Sequence, residues 1–186
     1  MRYLEKIQHV LCNVICKAEN EMPYDDMMSY MLKLMAEIKQ SGKKICFIGN
    51  GGSAAIAIHM TNDFLKNGGI RTHSMHDPAT LTCLGNDFDF TQIFSRQLEM
   101  IADEGDILTA ISSSGKSPNI LRAVDKAREK RCKVITLSGF SEDNPLRQMG
   151  DLNIYVPSME YGIVESLHNL ILQQVVDEIL FREKQA

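Results

Sequence analysis

Long apolar runs are missing from this sequence, and so is an excess of positive charge. A helix that crosses a bilayer needs about 20 consecutive apolar residues, so we expect no membrane-spanning segment. No apolar signal-peptide core follows the charged side chains between Met1 and Lys6, which predicts a cytoplasmic protein. The 24 Asp and Glu residues outnumber the 20 Lys and Arg residues, and the net charge of −4 argues against direct binding to nucleic acid.

Cysteines are few and follow no regular spacing. Their number, five, favours free thiols in a reducing cytoplasm over a disulfide framework. Cys12 and Cys16 lie one helical turn apart and could act as a pair of metal ligands. Two buried thiols on an amphipathic helix are the favoured interpretation.

The length and composition predict a single domain over residues 1–186. The chain has 186 residues, of which 44% are hydrophobic and 24% are charged, the usual balance of a globular protein with a sizeable core. Apolar residues recur at helical spacing through residues 1–40, with a break near Pro23, so we predict N-terminal helices there.

From residue 43 to residue 186, short apolar runs alternate with amphipathic segments. The runs predict five strands, at residues 45–48, 70–75, 106–111, 132–137 and 152–156. Such alternation is typical of an α/β fold in which right-handed crossovers build a parallel sheet covered by helices on both faces. We therefore predict a three-layer α/β sandwich over residues 43–186.

Two loops rich in glycine and serine each follow a predicted strand and open a predicted helix: residues 49–53 and residues 112–117. Glycines let the backbone approach an anion, and the N–H groups of a helix start favour a phosphate. Each loop alone also fits an ordinary turn with a helix cap. Because the first and third strands of a doubly wound sheet flank its ligand-binding switch point, two such loops together favour a phosphate site.

Several motifs follow one another in the order seen in phosphoheptose isomerases. They are Gly49-Asn50-Gly51-Gly52-Ser53, His59, Gly85-Asn86-Asp87, Phe94-Ser95-Arg96-Gln97 and Ser112-Ser113-Ser114-Gly115-Lys116-Ser117. Over nearly its whole length the chain resembles a sugar isomerase (SIS) domain protein of that branch.

The resemblance implies a flavodoxin-like five-stranded parallel sheet with an N-terminal helical hairpin, and a homotetramer whose packing uses residues 1–40. It implies a cytoplasmic isomerase of carbohydrate metabolism that acts on sedoheptulose 7-phosphate or a related ketose phosphate. The serines at positions 112, 113, 114 and 117 would hold the phosphate. The sugar would be bound by Asn50, Gly51, Gly52, Ser53, Asn86, Asp87 and Glu165.

At three positions, 63, 165 and 173, the chain departs from the family pattern. Where the family has a histidine followed four residues later by a glutamate, this chain has His59 and Asp63. Where the family has a glutamine and, eight residues on, a histidine, it has Glu165 and Gln173. By resemblance these four residues would bind one divalent metal, zinc in the family.

Three acidic residues are candidates for proton transfer. Asp63 or Glu165 would act as the base and Asp87 would assist at the sugar hydroxyls, since isomerisation needs a base beside a carbonyl. Glu165 and Gln173 also belong to a polar strip on an otherwise apolar helix, which equally fits a solvated face. We interpret His168 on that helix as a structural histidine.

A second hypothesis keeps the phosphate site without the reaction. Some SIS proteins similar to this branch have lost the catalytic pair and act through a protein partner, one of them a tetrameric regulator of the bacterial replication initiator. The changed residues at positions 63 and 173 favour this alternative, a phosphosugar-binding or regulatory protein.

Overall fold

The computed structural model describes residues 2–185. Its helices are α1 Tyr3–Cys12, α2 Tyr24–Ser41, α3 Gly52–Lys66, α4 Pro78–Asp87, α5 Ile93–Ile101, α6 Pro118–Glu129 and α7 Tyr161–Glu183. Its strands are β1 Ile15–Lys17, β2 Glu21–Met22, β3 Lys44–Gly49, β4 Arg71–Ser74, β5 Ile107–Ser112, β6 Lys133–Ser138 and β7 Leu152–Tyr155. Short 3₁₀ turns lie at Phe90–Gln92 and Pro145–Gln148. Within the described range, every helix is too short or too polar to cross a membrane.

The strands form one sheet in the order β2-β1-β7-β6-β5-β3-β4. The five strands from β3 to β7 are parallel to one another, and helices connect them. The predicted fold class is confirmed, and the parallel strands have the doubly wound order that we expected around a switch point.

Residues 13–22 differ from the prediction of continuous N-terminal helix. α1 ends at Cys12, and the chain then forms an antiparallel hairpin in which Cys16 pairs with Met22 and with Ile154 of β7. The apolar residues here fit a strand as well as a helix, and the deciding partner, β7, is remote in sequence. Cys12 and Cys16 are therefore not on one helix: the first is exposed and the second is buried.

Two apolar cores lie on the two faces of the sheet. On one face Ile45 and Phe47 of β3 pack with α2, α3 and α7, and on the other Cys46 and Ile48 pack with α4, α5 and α6. Because successive side chains of a strand point to opposite faces, this central strand is apolar throughout. Because β3 and β5 are parallel neighbours, the loops that follow them emerge side by side at one edge of the sheet.

Candidate functional site

A cavity of about 260 Å³ opens at the carboxyl ends of β3 and β5. It is lined by Asn50, Gly51, Gly52, Ser53, Ser112, Ser113, Ser114, Ser117, Tyr161 and Glu165. Apart from Tyr161, these are residues that the sequence singles out. A larger cavity of about 620 Å³ beside the β1–β2 hairpin is lined partly by Glu19, Glu21 and Asp151, a set without a phosphate-type loop.

The first loop brings the start of α3 to the cavity. α3 begins at Gly52, and the N–H groups of Gly52 and Ser53 stand in its first turn, where a helix offers them no internal partner. A side chain on Gly52 would overlap both carboxylate oxygens of Glu165. Glycine at this position therefore allows the Glu165 carboxylate to lie against the positive end of α3.

The second loop supplies hydroxyl groups. Ser112 and Ser113 are buried, and the Ser113 hydroxyl has no hydrogen-bond partner among the described residues. Ser117 precedes α6 without capping it through its side chain. Since a buried hydroxyl without a partner is unfavourable, the cavity has unused hydrogen-bonding capacity that a polar ligand would satisfy.

Asn144 packs against the serine loop, residues 112–117. Its side-chain amide donates to the carbonyl oxygens of Ser141, at 2.8 Å, and Gly139, at 3.2 Å, and it is fully buried. Gly115, at φ +61°, packs so closely on Asn144 that any side chain at position 115 would overlap the amide. The loop conformation is therefore fixed by a neighbour that the local sequence does not reveal.

A second amide joins the two loops. Asn50 and Asn119 donate to each other through a reciprocal pair of 2.9 Å hydrogen bonds between their side chains. Asn50 belongs to the loop after β3, and Asn119 lies in the first turn of α6. His76 also lies 3.0 Å from the Gly49 carbonyl oxygen at the end of β3, and burial lowers its pKa. The two loops thus form one connected unit.

Among the described residues, the cavity lining carries no lysine or arginine, and Glu165 is its one charged side chain. An anion bound here would be held by hydroxyl groups, backbone N–H groups and the dipole of α3. The lining thus combines neutral hydroxyl donors from the serines with one acidic group, Glu165.

The remaining predicted residues do not line this cavity. His59 and Asp63 lie 3.6 Å apart on α3, and the Gln173 amide lies 3.4 Å from a carboxylate oxygen of Asp177. Asn86 and Asp87 contact each other at 3.0 Å on the exposed end of α4.

His59, Asp63 and Glu165, three of the four predicted metal ligands, are not grouped as one ligand set among the described residues. Across residues 2–185, no three or more His, Cys, Asp or Glu side chains are grouped so that they could hold a metal ion. His59 and Asp63 supply two donors, one fewer than the three protein ligands of a catalytic zinc site, and the role of Gln173 as a further ligand stays a prediction.

Sequence reasoning missed Tyr161, Asn119 and Asn144. Each acts through a contact with a segment remote in the chain, and asparagines near turns look like ordinary caps. His168 fits the structural interpretation: it is fully buried and bonded to the Ser138 carbonyl oxygen at 3.0 Å, and burial lowers its pKa to about 4.

Comparison with known proteins agrees with the fold. Residues 2–139 match the model of the SIS domain. The chain is 36% identical over 158 residues to the phosphoheptose isomerase of Sodalis glossinidius, covering 82% of this chain and 80% of that protein. It is 32% identical over 183 residues to a phosphoheptose isomerase of a Geobacter species, covering 94% of each. The solved structure of a phosphoheptose isomerase from Francisella tularensis matches with a TM-score of 0.81 at 31% identity, over 95% of this chain and 94% of that one. The chain therefore belongs to the SIS-domain family, in the phosphoheptose isomerase branch of its phosphosugar isomerases.

Proposed function

We propose that this protein interconverts a ketose phosphate and its aldose phosphate, with sedoheptulose 7-phosphate as the first substrate to test. One observation carries the proposal: the Glu165 carboxylate and the serine loop line the same cavity. A phosphorylated open-chain sugar has one end that needs donors and another that needs a base. The cavity volume, about 260 Å³, suits a small metabolite.

The phosphate end would lie against the serine loop. The unpartnered Ser113 hydroxyl, with Ser112, Ser114 and Ser117, offers short hydrogen-bond donors around one point of the lining. Hydroxyl and backbone donors bind a phosphate without a paired cation, because a preorganised set of dipoles replaces its hydration.

The proton step would use Glu165. Its carboxylate removes the proton from the carbon next to the carbonyl, and the electron pair of that C–H bond forms the enediolate as the carbonyl electrons move onto oxygen. The proton then returns to the former carbonyl carbon, while the hydroxyl proton of the neighbouring carbon passes to the enediolate oxygen. The new carbonyl forms at that neighbouring carbon, so the sugar is isomerised without net oxidation. The first turn of α3, against which Glu165 lies, would stabilise the enediolate oxygen.

Asp63 and Asp87 are weaker candidates for the base. Asp63 faces His59 at 3.6 Å, and Asp87 is bonded to its neighbours on α4, so neither lines the cavity of this chain. In this proposal His59 and Asp63 act at most in orienting substrate or binding metal, an idea that elemental analysis of protein purified without chelator would test.

The decisive experiment compares Glu165→Gln with Asp63→Asn in a sedoheptulose 7-phosphate conversion assay. We expect the first variant to lose about 10²–10⁴-fold in kcat, the usual effect of removing a general base. Glu178→Gln, on the same helix but outside the cavity lining, is the matched control and should keep its activity. Full turnover in Glu165→Gln would remove Glu165 from the mechanism.

The phosphate end has its own test. Ser112→Ala and Ser117→Ala should each weaken binding of inorganic phosphate several-fold in calorimetry, since each removes one hydrogen-bond donor. Ser41→Ala, at the end of α2, serves as the control. Unchanged phosphate affinity in both loop variants would contradict the phosphate site.

We also propose a cytoplasmic homotetramer. All five cysteines are free, as expected in a reducing compartment. On α3 and α7, large apolar side chains are exposed that a neighbouring copy would cover: Ile58, Leu65, Leu170 and Phe181. Light scattering should give a mass near four chains, and a smaller species for Leu65→Glu with Leu170→Glu. A monomeric wild-type protein would refute the assembly.

The alternative is a phosphosugar-binding regulator without turnover. It is favoured by the position of Asp63 outside the cavity lining and by Gln173, whose amide cannot transfer protons as a histidine does. Saturable binding of sugar phosphates with no conversion, together with a stable protein partner in a pull-down, would support this function over the isomerase.

A further inference from the structure

Tyr161 is the one aromatic residue that the described part of the chain contributes to the cavity lining, and none of the sequence motifs includes it. It is the first residue of α7, one turn before Glu165, and 61% of its surface is exposed in the single chain. The rest of the lining consists of glycine backbone, hydroxyls, one amide and one carboxylate. Tyr161 therefore provides the large apolar surface of the cavity.

The ring of Tyr161 packs against the ring of Phe140. The two rings meet edge to face, with centroids 4.7 Å apart and planes at 80°. This is a favoured geometry for aromatic pairs, because the positive edge of one ring meets the negative face of the other. Phe140 itself lies outside the cavity lining, so it reaches the cavity only through its contact with Tyr161.

The backbone of Phe140 adopts a strained conformation. Its φ of +57° lies in the left-handed region that a bulky residue rarely adopts. The Phe140 N–H donates to the Ser158 carbonyl oxygen at 3.0 Å, and the Phe140 carbonyl oxygen accepts from the Tyr155 hydroxyl at 2.8 Å. Strain kept in place by several bonds is characteristic of functional sites.

We propose that Tyr161 is a specificity-determining residue that binds the carbon chain of the sugar, with Phe140 as its positioning residue; this inference rests on the proposed function. The ring covers the C–H groups of a polyhydroxylated chain, and its hydroxyl exchanges hydrogen bonds with one of the sugar hydroxyls. The ligand class is thus an open-chain sugar phosphate, bound along its chain as well as at its phosphate.

Calorimetry with two probes, sedoheptulose 7-phosphate and inorganic phosphate, distinguishes the contribution of the sugar's carbon chain to affinity from that of the phosphate group. We expect the wild-type protein to bind the sugar phosphate more tightly. Tyr161→Ala should weaken sugar phosphate binding about tenfold while phosphate binding changes less than twofold, and Tyr161→Phe should lose about threefold, the effect of one hydrogen bond.

Phe140→Ala should shift the same ratio in the same direction, and Phe140→Tyr, which keeps the ring, should restore it. A purely structural role would change both affinities together, and melting curves would report any loss of folding separately. Equal changes for both probes, no change in Tyr161→Ala, or a wild-type protein that binds both probes equally would each overturn the inference. If Tyr161→Ala selectively loses sugar phosphate affinity while the wild-type protein shows no turnover, the isomerase proposal is rejected and the role of Tyr161 is kept.

Discussion

Acidification should destabilise this protein through His168, a residue outside the cavity. His168 is fully buried, and its Nε2–H donates to the Ser138 carbonyl oxygen at 3.0 Å. Its Nδ1 has no partner among the described residues, so a proton added there would create a buried and unpaired cation. Burial accordingly lowers the pKa of His168 from 6.5 to about 4.

The size and sign of the effect follow from linkage. Because the pKa of His168 is lower in the folded protein than in the unfolded chain, the unfolded chain binds more protons as the pH falls, so stability is lost between pH 6.5 and pH 4. A tenfold change in proton affinity between the two states corresponds to about 1.4 kcal/mol, which gives a total loss of about 3 kcal/mol below pH 4. Between about pH 7 and about pH 5 the expected loss is about 2 kcal/mol.

The assay is urea unfolding at about pH 7 and about pH 5 for the wild type and for His168→Gln, whose amide can still donate to Ser138. Burial also lowers the pKa of His73 and of His76, and both residues remain in the variant, so the difference between the two proteins isolates His168. The wild type should lose about 2 kcal/mol more than the variant over this range. Equal losses would refute the account of His168.

Three further outcomes are expected. Gly115→Ala should lower the free energy of unfolding and weaken phosphate binding at least tenfold, because its side chain would overlap Asn144. Gly42 has a similar positive φ but open space around it, so Gly42→Ala should lower the free energy of unfolding by only about 1–2 kcal/mol and bind phosphate normally. In a double-mutant cycle, Asn50→Ala and Asn119→Ala should couple by about 1 kcal/mol in unfolding free energy, whereas additive effects would exclude their paired hydrogen bonds. In native thiol labelling, Cys12 should react first and Cys83 more slowly, because the carboxylate of Asp87 raises the Cys83 pKa. Burial raises the pKa of three further thiols to about 11 or 12: Cys16, Cys46 and Cys132. Rapid labelling of these three would contradict the fold.

The parallel sheet and its two loops were predictable because local signals carry them. Apolar runs predict β3 and β5. The segments rich in glycine and serine after them predict tight turns that connect each strand to a helix. Their neighbouring positions then followed from the strand order typical of such sheets.

The parts that were not predictable depend on remote partners. β1 is only three residues long, and its pairing with β7 decides its conformation against the helical pattern around it. Tyr161 reaches the cavity because α7 begins beside Phe140, which no spacing along the chain encodes. The roles assigned to the individual site residues stay predictions until the variants described above are measured.

The pairing of β1 with β7 joins opposite ends of the polypeptide, since Cys16 lies opposite Ile154. Contacts between segments so distant in sequence are slow to form, because a very large loop must close first. During synthesis this hairpin therefore keeps one edge unpaired until β7 has emerged. Until β7 pairs with it, β1 keeps an edge of unpaired N–H and C=O groups with which a strand of another chain could pair.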